Sequence, residues 1–405
     1  MRPFGRLRIN ASPRCDLVFL STFRSTCLPC SAWNVPYVTT LRAQLEWFLR
    51  PSVVINGGDI DGERHRTLAY PEPVTDPSPL VDPFQRRVRD LRLSVTDRCN
   101  FRCTYCMPEE GLRWLDRSDL LTYEELARIA RVCVERWGFD GIRITGGEPT
   151  IRHGLARLFE MLAPLGVDLA MTTNGVKLPE MAAELKAAGL TRVNVSLDSL
   201  RRETFLALTR RDELDRTLAG IDAALAAGLG PVKVNCVVIR DVNDAEIVDL
   251  AAFGREKGVG VRFIEFMPLD APAEWRMDQV VSATEILDRI NAVFPLDETR
   301  GDTAHVEPAA RHRYRDGIGD VGVIPSVTEP FCESCDRVRI TAEGKFRTCL
   351  FALDETDLRA VMRDGGSDDE LAAAISGAVG TKWAGHNIGA VNFIRPDRSM
   401  SQIGG

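Results

Sequence analysis

No apolar run in the 405-residue chain approaches the ~20 residues that a membrane-spanning helix requires, which argues against an integral membrane protein. An excess of positive charge is missing as well. The 51 basic and 58 acidic residues leave a formal net charge of −7, whereas general nucleic-acid binding needs a basic surface. An anionic partner would therefore have to be met by locally placed Arg and Lys. A third shortage is regional: up to Gly58 the chain holds seven arginines, no lysine and only two acids, Asp16 and Glu46. Pro71, Pro73, Pro77, Pro79 and Pro83 then punctuate a linker. Residues 1–83 are thus expected to be an appended, poorly ordered extension. Its Cys27-x2-Cys30 lacks the second pair that a metal site would need. The Arg-rich, acid-poor texture also suits a mitochondrial transit peptide, the alternative to a cytoplasmic location.

The 11 cysteines cluster as metal ligands and not as a disulfide framework, which implies a reducing compartment. A strand near residues 91–95 runs into Cys99-x3-Cys103-x2-Cys106. A fourth local cysteine is absent, because Cys133 falls within a helical pattern. Three thiolates on one loop can wrap a four-iron cluster and leave one iron for a ligand that is not protein. Such an open position marks a metal that does chemistry. The second set, Cys332-x2-Cys335-x13-Cys349, again stops at three. There a zinc site completed by His386 or His312 stands as the alternative to a second cluster.

From Asp90 the chain alternates strand and helix, with strands expected near 91–95, 141–145, 168–172, 192–197, 231–239 and 260–267. Leu126, Ile129, Ala130, Cys133 and Trp137 fall on one face of a helix opened by the capping-box pattern Thr122-x-x-Glu125. The echo between residues 187–195 and 226–234, each a helix end, a glycine and the next strand, marks repeated helix-to-strand units. Six such units predict an α/β fold: an incomplete (βα)6 TIM-type barrel over 84–294. An α+β region over 295–405 would close it and carry the second cluster. Within that region, 305–324 reads as short antiparallel strands turning at Asp316-Gly317.

Strand ends in parallel barrels carry the working residues. Here they are Ser94, Gly146-Gly147-Glu148-Pro149, Thr172-Thr173-Asn174, Ser196-Leu197-Asp198, Lys233-Val234-Asn235 and Glu265-Phe266-Met267-Pro268. Gly146-Gly147 would let backbone approach a ligand, with Glu148 accepting from its amino group. Arg92, Arg143, Lys233, Arg337 and Arg339 would suit a triphosphate if they converge.

The stretches Asp97 to Pro108, Thr145-Gly146-Gly147-Glu148-Pro149, Thr172-Thr173-Asn174-Gly175 and Asn194-Val195-Ser196-Leu197-Asp198 carry a resemblance, as do Phe263-Ile264-Glu265-Phe266-Met267, Phe331-Cys332-x2-Cys335 and Ile403-Gly404-Gly405. Together they resemble the radical S-adenosylmethionine superfamily and, within it, the GTP 3′,8-cyclases of molybdenum cofactor biosynthesis, over about 83 to 405. The resemblance implies two [4Fe-4S] clusters, on Cys99, Cys103 and Cys106 and on Cys332, Cys335 and Cys349. Tyr105, Gly147, Ser196 and Met267 would hold adenosylmethionine. Arg92, Arg143, Thr172, Lys233, Arg337, Val338 and Arg339 would hold GTP, with the guanine on the second cluster. Gly404 and Gly405 would reach into the active site. A deoxyadenosyl radical would take hydrogen from the ribose C3′, and the carbon radical would attack C8 of guanine, giving (8S)-3′,8-cyclo-7,8-dihydroguanosine 5′-triphosphate. An external electron donor and a downstream cyclic pyranopterin monophosphate synthase are the implied partners, and a homodimer is compatible with them. The extension and Thr150-Ile151, where leucine is more usual, depart from the pattern. The rival readings are another two-cluster radical enzyme acting on a peptide and a two-cluster electron-transfer protein.

Overall fold

The computed structural model describes residues 77–270, 273–300 and 308–404. The expectations for residues 1–76, Cys27 and Cys30 among them, and for His305 and Gly405 lie outside these. A short antiparallel pair, Leu80–Val81 (β1) and Arg87–Val88 (β2), comes first. Six strands follow: Asp90–Ser94 (β3), Gly141–Thr145 (β4), Asp168–Thr173 (β5), Arg192–Ser196 (β6), Lys233–Val238 (β7) and Gly260–Glu265 (β8). They pair in parallel and in chain order. Parallel neighbours need a crossover, and helices supply it. These are Tyr123–Trp137 (α1), Leu155–Leu162 (α2), Leu178–Ala187 (α3), Arg202–Thr209 (α4), Leu214–Ala226 (α5) and Ile247–Lys257 (α6).

The first helix is built as its sequence predicts. Thr122 accepts from the Glu125 amide and Glu125 returns the bond, while Gly138 closes the far end in the left-handed conformation.

Two-residue periodicity sorts the strands' side chains. Leu91, Leu93, Ile142, Ile144, Val193, Val195 and Val234 are all buried in the core that the helices cover. The alternate positions, Arg92, Arg143, Arg192, Asn194 and Lys233, line a cavity on the opposite face. Helix packing on the outer face is close enough at one point to require glycine. A Cβ on Gly220 of α5 would lie 2.1 Å from the carbonyl oxygen of Gly175, which precedes α3.

After α7 (Ala283–Asn291) come Leu296–Arg300 (β9), Ala310–Tyr314 (β10) and Asp320–Ile324 (β11). β10 and β11 pair antiparallel, as the sequence predicts for 305–324; β9, which precedes that stretch, pairs antiparallel with β10, and β11 joins β8 in parallel. The next strand, Arg337–Ile340 (β12), was not among those expected, and it adds in parallel to β3 at the other end of the six. Lys345–Arg347 (β13) and Thr356–Asp357 (β14) extend that edge into a 12-stranded mixed sheet. Leu358–Arg363 (α8), Asp368–Val379 (α9) and Met400–Ile403 (α10) complete the described chain.

Candidate functional site

The loop after β3 is fastened on every side before any ligand is considered. Val95 donates to the Thr145 carbonyl, and Gly147 and Glu148 donate to Thr96 and Arg98 at 2.7 and 2.8 Å. Arg102 and Thr104 donate to the end of α4, at Thr209 and Leu208, and the Phe101 ring meets Phe205 edge-on at 5.9 Å. This loop presents Cys99, Cys103 and Cys106, all free thiols lining the cavity. Burial pushes the Cys99 thiol up to about 12, with the Glu148 carboxylate adding to the effect. Burial raises Cys103 and Cys106 too; Cys106 and Cys99 oppose ionisation of Cys103, and Cys99 opposes that of Cys106. Three adjacent thiolates need positive charge among them, and an iron–sulfur cluster provides it, so the donor set fits that group.

Gly146-Gly147-Glu148, which line the cavity, have a structural task as well. A Cβ on Gly147 would stand 2.3 Å from the Arg98 carbonyl oxygen, and one on Gly146 would stand 2.7 Å from that of Thr96. The glycines are required for the approach of the cysteine loop's own backbone. Glu148 is engaged too: its carboxylate accepts from the Thr150 amide and hydroxyl, from the Thr173 hydroxyl at 2.7 Å and from the Asn174 amide at 2.7 Å. It therefore ties its loop to the end of β5, with three of the four bonds on Oε1 and only the Asn174 amide on Oε2, which keeps acceptor capacity.

Tyr105, Gly147, Ser196 and Met267, the residues expected at adenosylmethionine, all line the same cavity of about 620 Å3. The Tyr105 hydroxyl donates to Asp198 at 2.5 Å, and the other Asp198 oxygen accepts from the Val237 amide at 2.8 Å. Arg92, Arg143, Thr172, Lys233, Arg337 and Arg339 line it as well. Val338 does not. Its side chain is fully buried in the core, as its place on β12 between the cavity-facing Arg337 and Arg339 dictates.

Strand register explains why the cations meet. Arg339 pairs with Arg92 across β12 and β3, and Arg92 pairs with Arg143 across β3 and β4. Arg192 stands at the same level on β6, through Ala170. One level on, Thr172, Asn194 and Lys233 are in register. Burial drives Arg143 down to about 9, and repulsion from Arg92 and Arg192 adds to it. Burial likewise lowers Arg339, reinforced by Arg92 and Arg337. A guanidinium keeps its proton in a protein, so an anion is what relieves this crowding. Arg92 Nε and Arg143 Nη1 are buried without a hydrogen-bond partner, as are the Asn194 and Asn235 side-chain oxygens. Donors left in this state call for a ligand. Arg192 and Arg262, both in the lining, escaped the sequence reading. The signal available was a charge at one inward position of an otherwise uncharged alternation in each of these two strands.

The second cysteine set lies in a single helical turn, Cys332–Ser334, and in the turn after β13. At this end the cavity wall is Phe331, Asp336, Arg337 and Leu350, the chain neighbours of the cysteines and not the sulfurs themselves. Burial raises the Cys332 thiol. At Cys335 burial is outweighed by Arg337 and Lys382, which hold the thiol below its ordinary value. Among the described residues no three His, Cys, Asp or Glu side chains close on one point as a single zinc ion requires. His312 lies on β10, which adjoins β11 and β9, while His386 packs against Phe351 with ring centroids 4.9 Å apart.

The C-terminal tail is seated in the same place. Arg339 donates to the Gly404 carbonyl at 2.6 Å. Gly404 has φ +72°, and a Cβ there would meet Thr145 and Ser94 at 3.0 and 3.1 Å, so a side chain would be both strained and crowded. Gly405 is outside the described residues. No helix among those residues is long and apolar enough to cross a membrane.

Comparison with known proteins bears on this geometry. Residues 93–254 match the radical SAM superfamily model, and residues 259–388 match Molybdenum Cofactor Synthesis C. A GTP 3′,8-cyclase of Paenarthrobacter nicotinovorans is 49% identical over 343 residues, covering 80% of this chain and 97% of that protein. One of Streptomyces coelicolor is 48% identical over 328 residues, covering 80% and 96%. GTP 3′,8-cyclase 2 of Mycobacterium tuberculosis is 47% identical over 352 residues, covering 84% and 97%. Among solved structures, Streptococcus suis SuiB bound to S-adenosylmethionine aligns with a TM-score of 0.50 at 16% identity, over 67% of this chain and 63% of that one. That likeness concerns the fold, a radical SAM α/β arrangement built on a mixed sheet. With nearly half of the aligned residues identical along almost the whole length of these relatives, the chain belongs to the GTP 3′,8-cyclase family of the radical SAM superfamily.

Proposed function

We propose that this chain cyclises GTP to (8S)-3′,8-cyclo-7,8-dihydroguanosine 5′-triphosphate, an early step of molybdenum cofactor biosynthesis. The observation that carries the reading is the in-register row Arg339, Arg92 and Arg143, which lines one cavity with the first cysteine triad: Arg92 Nε and Arg143 Nη1 lack a hydrogen-bond partner, and Arg339 holds the Gly404 carbonyl. Crowded cations of this kind suit a triphosphate, and family membership supports both the nucleotide and the cofactors, two [4Fe-4S] clusters and S-adenosylmethionine.

In this reading Cys99, Cys103 and Cys106 hold one cluster, and Cys332, Cys335 and Cys349 hold the other. A reduced cluster with adenosylmethionine supplies the radical that takes hydrogen from the ribose. The chain's own residues fix where that happens. Tyr105, Gly147, Ser196 and Met267 surround the adenosylmethionine side, with Tyr105 oriented by Asp198. Arg92, Arg143, Thr172, Lys233, Arg337 and Arg339 neutralise the phosphates, and Val338 contributes only through the backbone of β12. Gly404, held by Arg339, and Gly405 after it bring the tail to the reacting nucleotide. Residues 84–294 are taken as an incomplete six-unit barrel and 295–405 as the region that closes it and carries the second cluster. That division is supported by β11 and β12, which flank the two ends of the six-strand run. The expected extension, 1–83, needs shortening at its end: Leu80–Val81 forms β1, and Leu80 and Asp82 are buried, so the folded part starts before residue 83.

The free thiols among the described cysteines support a reducing, cytoplasmic setting. An external electron donor, a downstream cyclic pyranopterin monophosphate synthase and a homodimer complete the proposal. The test is anaerobic incubation of the reconstituted, reduced chain with adenosylmethionine and either GTP or ATP. GTP alone should yield a cyclised nucleotide matched by deoxyadenosine. Deoxyadenosine formation indifferent to the nucleotide, with GTP recovered intact, would overturn it.

A further inference from the structure

Behind the second cysteine set lies a buried ammonium that the proposed chemistry does not use. Lys382, shortly after α9, is only 3% exposed. Its Nζ donates to the Arg337 carbonyl at 2.8 Å and the Thr348 carbonyl at 2.6 Å, and stands 3.8 Å from Cys335 Sγ. It thus bridges the chain just beyond Cys335 and the residue adjoining Cys349. The groups facing it that favour its charge are the Cys335 and Cys349 sulfurs, while Arg86 and Arg337 add further positive charge. A buried charge needs a counter-charge, and among the described residues no carboxylate is paired with this one.

The segment that carries Lys382 is held against the cysteines from the other side. Arg86, itself ion-paired with buried Asp82 at 2.6 Å, donates to the carbonyls of Cys332 at 2.6 Å, Ala384 at 2.7 Å and Trp383. A Cβ on Gly385 would fall 2.9 Å from Cys332 Cβ, so the segment lies flat on that cysteine. The first triad has a different balance: carboxylates Glu148 and Asp198 face it, with Arg102 beside Cys99, whereas at Cys335 Arg337 and Lys382 outweigh Asp336.

We infer that Lys382 is a positioning residue for the second cluster: it ties the Cys335 and Cys349 segments together and supplies the positive charge that raises that cluster's reduction potential. Charge and hydrogen bonding at the sulfurs are among the levers that set such potentials. The inference rests on the reading that Cys332, Cys335 and Cys349 bind a cluster.

The experiment compares wild type, Lys382→Gln and Lys382→Arg in the full chain, reconstituted anaerobically, with iron and sulfide quantified. Each cluster's midpoint potential is followed by electron paramagnetic resonance, with the second signal isolated in a Cys99→Ala, Cys103→Ala, Cys106→Ala background. Gln keeps donors for the two carbonyls and removes the charge. The second cluster's potential should become more negative, the first cluster's should stay put, and Arg should restore the wild-type value. If Gln instead empties the second site, Arg must restore both iron and potential. A second-cluster potential unchanged in Gln, an equal shift in both clusters, or a loss that Arg fails to repair would overturn the inference. Absence of a second cluster from the wild-type chain would instead sink the functional reading, and it would appear before any Lys382 variant was measured.

Discussion

Tyr105 is held in place by a carboxylate that is itself out of its ordinary range. Burial pushes Asp198 up to about 6, against the pull of hydrogen bonds from Tyr105 and Val237. The folded chain therefore keeps this proton at pH values where an unfolded aspartate, near 3.8, has released it. Stability consequently falls as pH rises from about 4 to about 6 and levels off above. Tyr105→Phe removes a donor to the charged form, so the titration moves further up. The variant should lose ~1–3 kcal/mol at pH 7, with a smaller deficit at pH 5, read from urea midpoints. Gly147→Ala tests the neighbouring contact. With 2.3 Å to the Arg98 carbonyl oxygen, the added methyl must displace the backbone that leads into Cys99. Iron bound at the first triad should drop severalfold while the second set keeps its iron, as quantitation of iron per chain would show.

Helices and strands were largely legible in the sequence, because hydrophobic periodicity and caps are local signals. α1 begins at Tyr123 behind the Thr122 capping box, and the six strands lie where the apolar runs do. Contacts between elements left weaker traces. Glu148 reads as a ligand group when only its neighbours in sequence are known, yet Thr173 and Asn174 also donate to it from the next strand's end. Arg192 and Arg262 are single charges within apolar strands, and only register reveals that they share a wall with Arg143 and Lys233. The pairing of β12 with β3 joins segments far apart in sequence, which no local pattern encodes. Gly220 is of the same kind. Within α5 it looks like a destabilising choice, costing ~1 kcal/mol relative to Ala. Against the Gly175 carbonyl, 2.1 Å from any Cβ, Ala cannot fit without moving α5 off α3. Gly220→Ala should therefore destabilise by ~1–3 kcal/mol in spite of its better helix propensity, seen as a lower urea midpoint.

Across the whole described chain, the two cysteine sets sit on segments with different jobs in the sheet. The first follows β3, fastened through Gly147 and Glu148 to the end of β4. The second flanks β12 and follows β13, and it is braced by Arg86 from the opening hairpin and by Lys382 after α9. Among the described residues no hydrogen bond runs directly from one cysteine loop to the other. What they share is the intervening wall of Arg92, Arg337 and Arg339 and the tail at Gly404. Damage to one set should therefore leave the other assembled. Cys99→Ala should abolish deoxyadenosine formation altogether. Cys349→Ala should keep the first cluster and a reduced, unproductive cleavage of adenosylmethionine, with cyclised nucleotide lost at least a hundredfold, about 3 kcal/mol of transition-state stabilisation. Deoxyadenosine and cyclised product, quantified side by side with iron content, would separate the two. Equal loss of both activities in Cys349→Ala, together with loss of iron from both sets, would mean that the second set is needed for the fold and not for the substrate.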